Sequence, residues 1–275
     1  MNINCNGKLI DISSPKVMGI LNITPDSFYD GNMYNNQKSI LSQVEKMLSD
    51  GATFIDIGAY SSRPGATLVS EDEEKKRIIK TVEFIVQEFP NANLSIDTFR
   101  SQVAEECLTA GASIINDITA SEYDSDILKI AFKHNAPYIM MHMRGTPGNM
   151  MKNNKYDDLL KDIIYYFSEK VKIARNSKIN DIIIDPGFGF SKDLDQNYKV
   201  LKNLGLLKSL ELPILVGISR KSMIYKLLEN TPKNALNGTT SLNTIALING
   251  ASILRVHDVK EAMECIKITN QFNKQ

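Results

Sequence analysis

Eight short apolar runs, each followed by an amphipathic stretch, constrain this chain more than any other feature. They are VMGILN (17–22), FIDIG (54–58), LSID (94–97), SIIND (113–117), YIMMH (138–142), DIIID (181–185), ILVGI (214–218) and ILRV (253–256). Runs this short, β-branched and continuously apolar read as parallel strands covered on both faces. Between them apolar residues recur at helical spacing. Ile40, Leu41, Val44, Met47 and Leu48 make one such face, with Gly51 placed to end it. Ser70 and Glu73 predict a capping box ahead of Ile78, Ile79, Val82 and Ile85. Leu159, Leu160, Ile163, Ile164, Phe167 and Val171 repeat the pattern. An open doubly wound sheet would normally stop at fewer strands. Eight units at ~34 residues each instead predict a closed (β/α)8 TIM barrel. Ahead of them, Asn6-Gly7 between Ile3, Cys5 and Leu9 reads as the type I′ turn of a short N-terminal β-hairpin. No linker or composition shift divides the chain, so residues 1–275 are expected to form one domain.

Charge and cysteine content exclude several classes of function. Lys+Arg 32 balance Asp+Glu 32, which argues against a nucleic-acid protein held by a basic surface. Cys5, Cys107 and Cys265 are far apart and form no CxxC pair, so they predict buried free thiols rather than a disulfide framework or zinc site. The N-terminus lacks a basic segment followed by a long apolar run, and no stretch approaches the ~18 apolar residues that a membrane span needs. The expectation is a cytoplasmic protein without membrane or nucleic-acid partners.

Polar residues gather where the predicted strands end. Asn22, Asp97, Asn116-Asp117, His142 and Asp185 close five of them; Ser219-Arg220-Lys221 follows the seventh, and Arg255 with His257 marks the eighth. Barrel active sites lie at this face, although Asn and Asp also cap the helices that follow. Arg255 and His257, two residues apart, should point the same way, with Asn22 and Lys221 beside them, as an anion site. Asn22 could offer an oxygen to Mg²⁺, a hard ion that bridges diphosphate oxygens. Opposite, Asp97, Asn116 and Asp185 suit a flat heterocycle with an edge of N–H donors. Two long, turn-rich loops, 22–36 and 59–70, read as lids, the second carrying Arg63 beside Pro64 and Gly65. DPGFGFSKD (185–193) matches neither common phosphate-loop pattern, and its Phe190 offers a stacking face.

In order and spacing, MGILNITPDSFYDGN, DIGAYSSRPGA, SIDTF, IINDI, MHMRGTP, DPGFGF, GISRKS and RVHDV resemble the dihydropteroate synthase family, from about Lys16 to Val259. The resemblance implies a TIM barrel that joins dihydropterin methyl diphosphate to p-aminobenzoate, with Mg²⁺ as cofactor and a homodimer as the assembly. It implies Asp97, Lys221 and Arg63 as catalytic residues and Asp97, Asn116, Asp185 and Lys221 as the pterin set. Asn22, Ser62, Arg63, Arg255 and His257 are implied for diphosphate, with Asn22 the metal ligand. Ser62, Pro64, Phe190, Lys221 and Ser222 are implied for p-aminobenzoate. Ser62 stands where the family often has Thr, and Tyr60 where an acidic residue is common. Alternative readings are a pterin-dependent methyltransferase domain, a Schiff-base aldolase using Lys221, and a barrel kept as a scaffold.

Overall fold

The structure, a computed structural model, describes residues 1–23, 33–59, 69–146 and 148–274, and leaves out the side chains of 33–35 and 151. The chain opens with β1 (Asn2–Cys5) and β2 (Lys8–Asp11), paired antiparallel with Cys5 opposite Lys8. Asn6 and Gly7 take φ of 50° and 83°, the two left-handed residues of the predicted type I′ turn.

Eight parallel strands follow: β3 (Lys16–Asn22), β4 (Phe54–Gly58), β5 (Asn93–Asp97), β6 (Ile114–Asp117), β7 (Tyr138–Met141), β8 (Ile182–Asp185), β9 (Leu215–Val216) and β10 (Ile253–Val256). Their order is β8-β7-β6-β5-β4-β3-β10-β9, and a parallel bridge from Ile184 to Ile214 joins the two ends. That join makes the sheet a barrel and removes the open-sheet alternative. The seventh strand is shorter than the predicted 214–218. Past Val216 the chain turns, with the N–H of Lys221 bonded to the Ile218 carbonyl and Arg220 at φ 56°.

The helices are α1 (Met33–Ser49), α2 (Glu71–Glu88), α3 (Ser101–Thr109), α4 (Ile127–Lys133), α5 (Leu159–Asn176), α6 (Leu194–Lys202), α7 (Ser222–Tyr225), α8 (Leu236–Ile248) and α9 (Val259–Phe272). α1 closes as predicted: the N–H groups of Gly51 and Ala52 bond the carbonyls of Leu48 and Met47. The capping box before α2 is only half formed. Ser70 Oγ accepts from the N–H of Glu73 at 3.3 Å, but the Glu73 carboxylate accepts from Arg77 Nε at 2.8 Å. A charge-assisted partner one turn along outcompetes the neutral backbone.

Strand parity sorts the side chains into two shells. Val17, Leu21, Ile55, Ile57, Leu94, Ile96, Ile115, Met140, Ile184 and Leu254 face outward into one cluster with the helices. Met18, Phe54, Ile114, Ile139, Ile183, Leu215 and Ile253 face inward at the start of the strands, where Ile3, Cys5, Ile10 and Ile12 of the hairpin region cover them. The hairpin thus plugs the lower mouth, and the Asn4 N–H bonds Asp181 Oδ2 there at 2.7 Å. Two residues further along, the inward positions become Asp56, Ser95-Asp97, Asn116, Met141, Asp185 and Arg255. The barrel is therefore apolar below and ionic above.

Candidate active site

Asp97, Asn116, Asp185, Lys221 and Arg255 line one cleft at the C-terminal mouth, with Ile118, Met141, Phe190 and Gly217. The cleft opens to solvent at that mouth. A side chain at Gly217 would stand about 4 Å from both Arg255 and Asp185 Oδ2, so glycine leaves the space between them open.

Arg255 is the hub of the polar layer. Its Nε donates to Asp56 Oδ2 at 2.6 Å and its Nη2 to Asp97 Oδ2 at 2.7 Å. Burial opposes its charge, but Asp56 and Asp97 outweigh that and hold it firmly cationic. The sequence-based arrangement put Arg255 opposite the carboxylates. The structure corrects this: the side chain reaches back across β3 and β4 to β5. His257, just past β10, has its Nδ1 3.0 Å from Ser219 Oγ and its N–H bonded to the same oxygen. Arg220 forks onto Asp258 at 2.9 and 2.5 Å, so the turns after β9 and β10 are tied together twice.

Asp56 is the residue that sequence reasoning missed. It is fully buried and accepts from Ser95 Oγ (2.6 Å), Asn116 Nδ2 (3.1 Å) and Arg255 Nε, so it orients an amide and a guanidinium of the cleft together. A lone charge inside the apolar run FIDIG was the available signal. Two other strand-end residues face away from the cleft. Asp117 has the outward parity and accepts from Tyr138 Oη, Thr119 and Ser121, which holds the next turn. His142 is buried against Lys192 and the ring of Tyr166.

Lys221 belongs to the Asp185 side. Its Nζ donates to the Phe188 carbonyl at 2.5 Å and stands 4.7 Å from the centroid of the Phe190 ring. Burial draws its pKa down to about 8, against the upward pull of Asp185. Burial likewise pushes Asp185 up, while Lys221 and the Gly187 N–H stabilise its charged form. Ser222 opens α7, half-buried beside Lys221. Asn22 sits at the exposed end of β3. Tyr60, Ser62, Arg63 and Pro64 lie outside the described residues, as does most of both predicted lid loops.

Among the described residues no group of three His, Cys, Asp or Glu side chains could hold a metal ion. Asn22 offers one amide oxygen, and Arg255 already engages Asp56 and Asp97. Such a donor set fits a Mg²⁺ that arrives with diphosphate oxygens and keeps its waters, not a resident ion caged by protein.

A family model for pterin binding enzymes matches residues 18–257. The chain is 42% identical over 270 residues to the dihydropteroate synthase of Escherichia coli (strain K12), covering 98% of this chain and 95% of that one. It belongs to the dihydropteroate synthase family. Members of this family are transferases of folate biosynthesis, and solved members share the whole fold. The Yersinia pestis dihydropteroate synthase, solved as a sulfonamide drug complex, matches with a TM-score of 0.93 at 44% identity over 100% of both chains. The Xanthomonas albilineans dihydropteroate synthase, solved with 4-aminobenzoic acid, matches with a TM-score of 0.90 at 33% identity, over 99% of this chain and 98% of that one.

Proposed function

We propose that the chain joins (7,8-dihydropterin-6-yl)methyl diphosphate to p-aminobenzoate, giving 7,8-dihydropteroate and diphosphate, as one domain of residues 1–275 acting in the cytoplasm. The observation that carries this is the inward layer of Asp97, Asn116 and Asp185 around a cleft that also holds two cations. Acceptor oxygens of that kind suit the amino and ring N–H edge of a pterin. Arg255 and His257, with Ser62 and Arg63 of the loop after β4, receive the diphosphate. Mg²⁺ carried on that substrate, with Asn22 as one ligand, would spread the charge that grows on the leaving oxygens.

The reaction needs no strong base. The C–O bond to diphosphate breaks with its electron pair on oxygen, and the neutral aniline nitrogen forms the new C–N bond. Its proton leaves to water. Asp97 stabilises the electron-poor pterin as diphosphate departs, which makes it catalytic with Lys221 and Arg63. Phe190 supplies a ring face to p-aminobenzoate, with Ser62, Pro64, Lys221 and Ser222 around it. A homodimer is supported by exposed apolar side chains on and beside the last helices: Leu227, Leu228, Ile245, Ile248, Ile268 and Phe272.

A coupled assay for diphosphate release, run with and without p-aminobenzoate, tests the reaction. Release that depends on p-aminobenzoate is expected. No release, or methyl transfer on adding a corrinoid protein, would replace the reading with the methyltransferase alternative.

A further inference from the structure

The glycine turn after β8 offers its carbonyls to two lysines. Lys221 takes that of Phe188. Lys192, which is 2% exposed, donates to Gly187 O and Phe190 O, both at 3.1 Å, and lies 2.9 Å from His142 Nδ1. An ammonium carries three N–H donors, and three acceptors converge on this one. Burial, then Lys192 and Arg144, hold His142 well below its ordinary pKa, so a neutral imidazole faces the amine.

The same turn is pinned from other sides. Gly187 has φ 69°, and a Cβ there would collide with the His142 carbonyl oxygen, so the backbone lies directly on the end of β7. The N–H of Gly189 bonds Asn197 Oδ1 at 2.7 Å, and Ser191 O accepts from Tyr156 Oη at 2.8 Å. Lys192 does not line the cleft, whereas Phe190, whose carbonyl it holds, does. A fully buried ammonium is costly unless its hydrogen bonds are needed. A methionine would fill the space without that cost.

We propose that Lys192 is a positioning residue whose three hydrogen bonds fix the Phe190 turn, and through it the ring face offered to the amine substrate. The proposal rests on the reading of Phe190 as part of the p-aminobenzoate site.

The test compares wild type with Lys192→Met and Lys192→Gln at pH 6.5. The Met variant should raise KM for p-aminobenzoate at least 10-fold. Its kcat and its calorimetric affinity for a pterin analogue should stay within about threefold of wild type. Amide exchange at Gly189 and Phe190 should quicken at least 10-fold while the barrel strands stay protected. Gln, which keeps an N–H donor, should fall between. Unchanged KM and exchange overturn the proposal. Equal losses in KM, kcat, pterin affinity and melting temperature also overturn it, because they describe a purely structural lysine. Failure of both variants to fold does the same. A wild type that releases no diphosphate defeats the proposed reaction instead, and the exchange comparison still decides whether Lys192 holds the turn.

Discussion

Replacing Asp56 separates the charge of the ionic layer from its hydrogen bonds. In the wild type Oδ2 accepts from both Arg255 and Asn116, and Oδ1 accepts from Ser95. Asp56→Asn can keep its carbonyl oxygen at the Oδ2 position and turn its NH2 toward Ser95. The Ser95 hydroxyl then rotates from donor to acceptor. Every contact survives, and only the charge assistance is lost. Charge-assisted hydrogen bonds contribute about 1.5–3 kcal/mol against about 0.5–1.5 for neutral ones, so the cost should be about 1–2 kcal/mol. Asp56→Ala removes all three hydrogen bonds and leaves a buried guanidinium with Asp97 as its remaining carboxylate here. Breaking a buried pair in this way costs roughly 3–5 kcal/mol. At roughly 3 °C per kcal/mol for a chain of this size, melting should fall by about 5 °C for Asn and about 12 °C for Ala. Circular dichroism melts read the stability, and calorimetry with a pterin analogue reads the site. Affinity should drop roughly 10-fold in Asp56→Ala, about 1.4 kcal/mol, because Arg255 and Asn116 lose their common anchor. Equal melting losses in the two variants would refute the hydrogen-bond accounting. No loss in either would mean that Asp56 does not hold Arg255.

Three further outcomes follow from the same contacts. Asp97→Asn should cut turnover by ~10²-fold or more, with analogue affinity falling less, if its charge acts in the transition state; an equal fall in both would leave Asp97 a binding residue only. Arg255→Ala should weaken binding of the diphosphate substrate and also destabilise the barrel, by roughly 3–5 kcal/mol in urea unfolding, because Asp56 and Asp97 are left facing each other; unchanged stability would contradict the hub geometry. Lys192 and Lys221 are drawn by burial to about 7 and about 8, below the 10.5 of an ordinary lysine. The unfolded chain therefore binds more protons between pH 7 and 9, so the unfolding free energy from urea titrations should rise across that window by up to about 1.4 kcal/mol per pH unit for each lysine; a flat or falling free energy would show that the lysines stay charged when buried.

The barrel was legible because the pattern that specifies it is local. Each strand announces itself by β-branched residues and each helix by its apolar face, and the count of eight selects closure. The site was legible only to the level of strand ends. Position along the chain says that Asn116, Asp117, Asp185 and His142 lie near the mouth, but parity decides which way each one points. Asn116 and Asp117 are adjacent, so one faces the cleft and the other the helices. The half-formed capping box failed for a related reason: a reciprocal pattern in sequence cannot show that Arg77 is the better partner for Glu73.

Parity, applied strand by strand, recovers much of what position alone missed. Phe54 begins β4 facing the barrel floor, so Asp56, two residues on, must face the same interior one layer higher. Ser95 and Asp97 repeat the step on β5, as do Ile114 and Asn116 on β6, Ile183 and Asp185 on β8, and Ile253 and Arg255 on β10. A chain that put this many ionisable groups on one inward layer could not leave them unpaired at that depth. Three carboxylates, Asp56, Asp97 and Asp185, share that layer with two cations, Arg255 and Lys221. Arg255 spans two of the carboxylates, and Lys221 lies beside the third. Burial pushes Asp185 up against the pull of Lys221, and draws Lys221 down against the pull of Asp185. On the proposed reaction, a pterin edge of N–H donors would add hydrogen bonds to Asp185, whose Oδ1 already accepts from the Gly187 N–H at 2.8 Å, so that substrate would complete the layer.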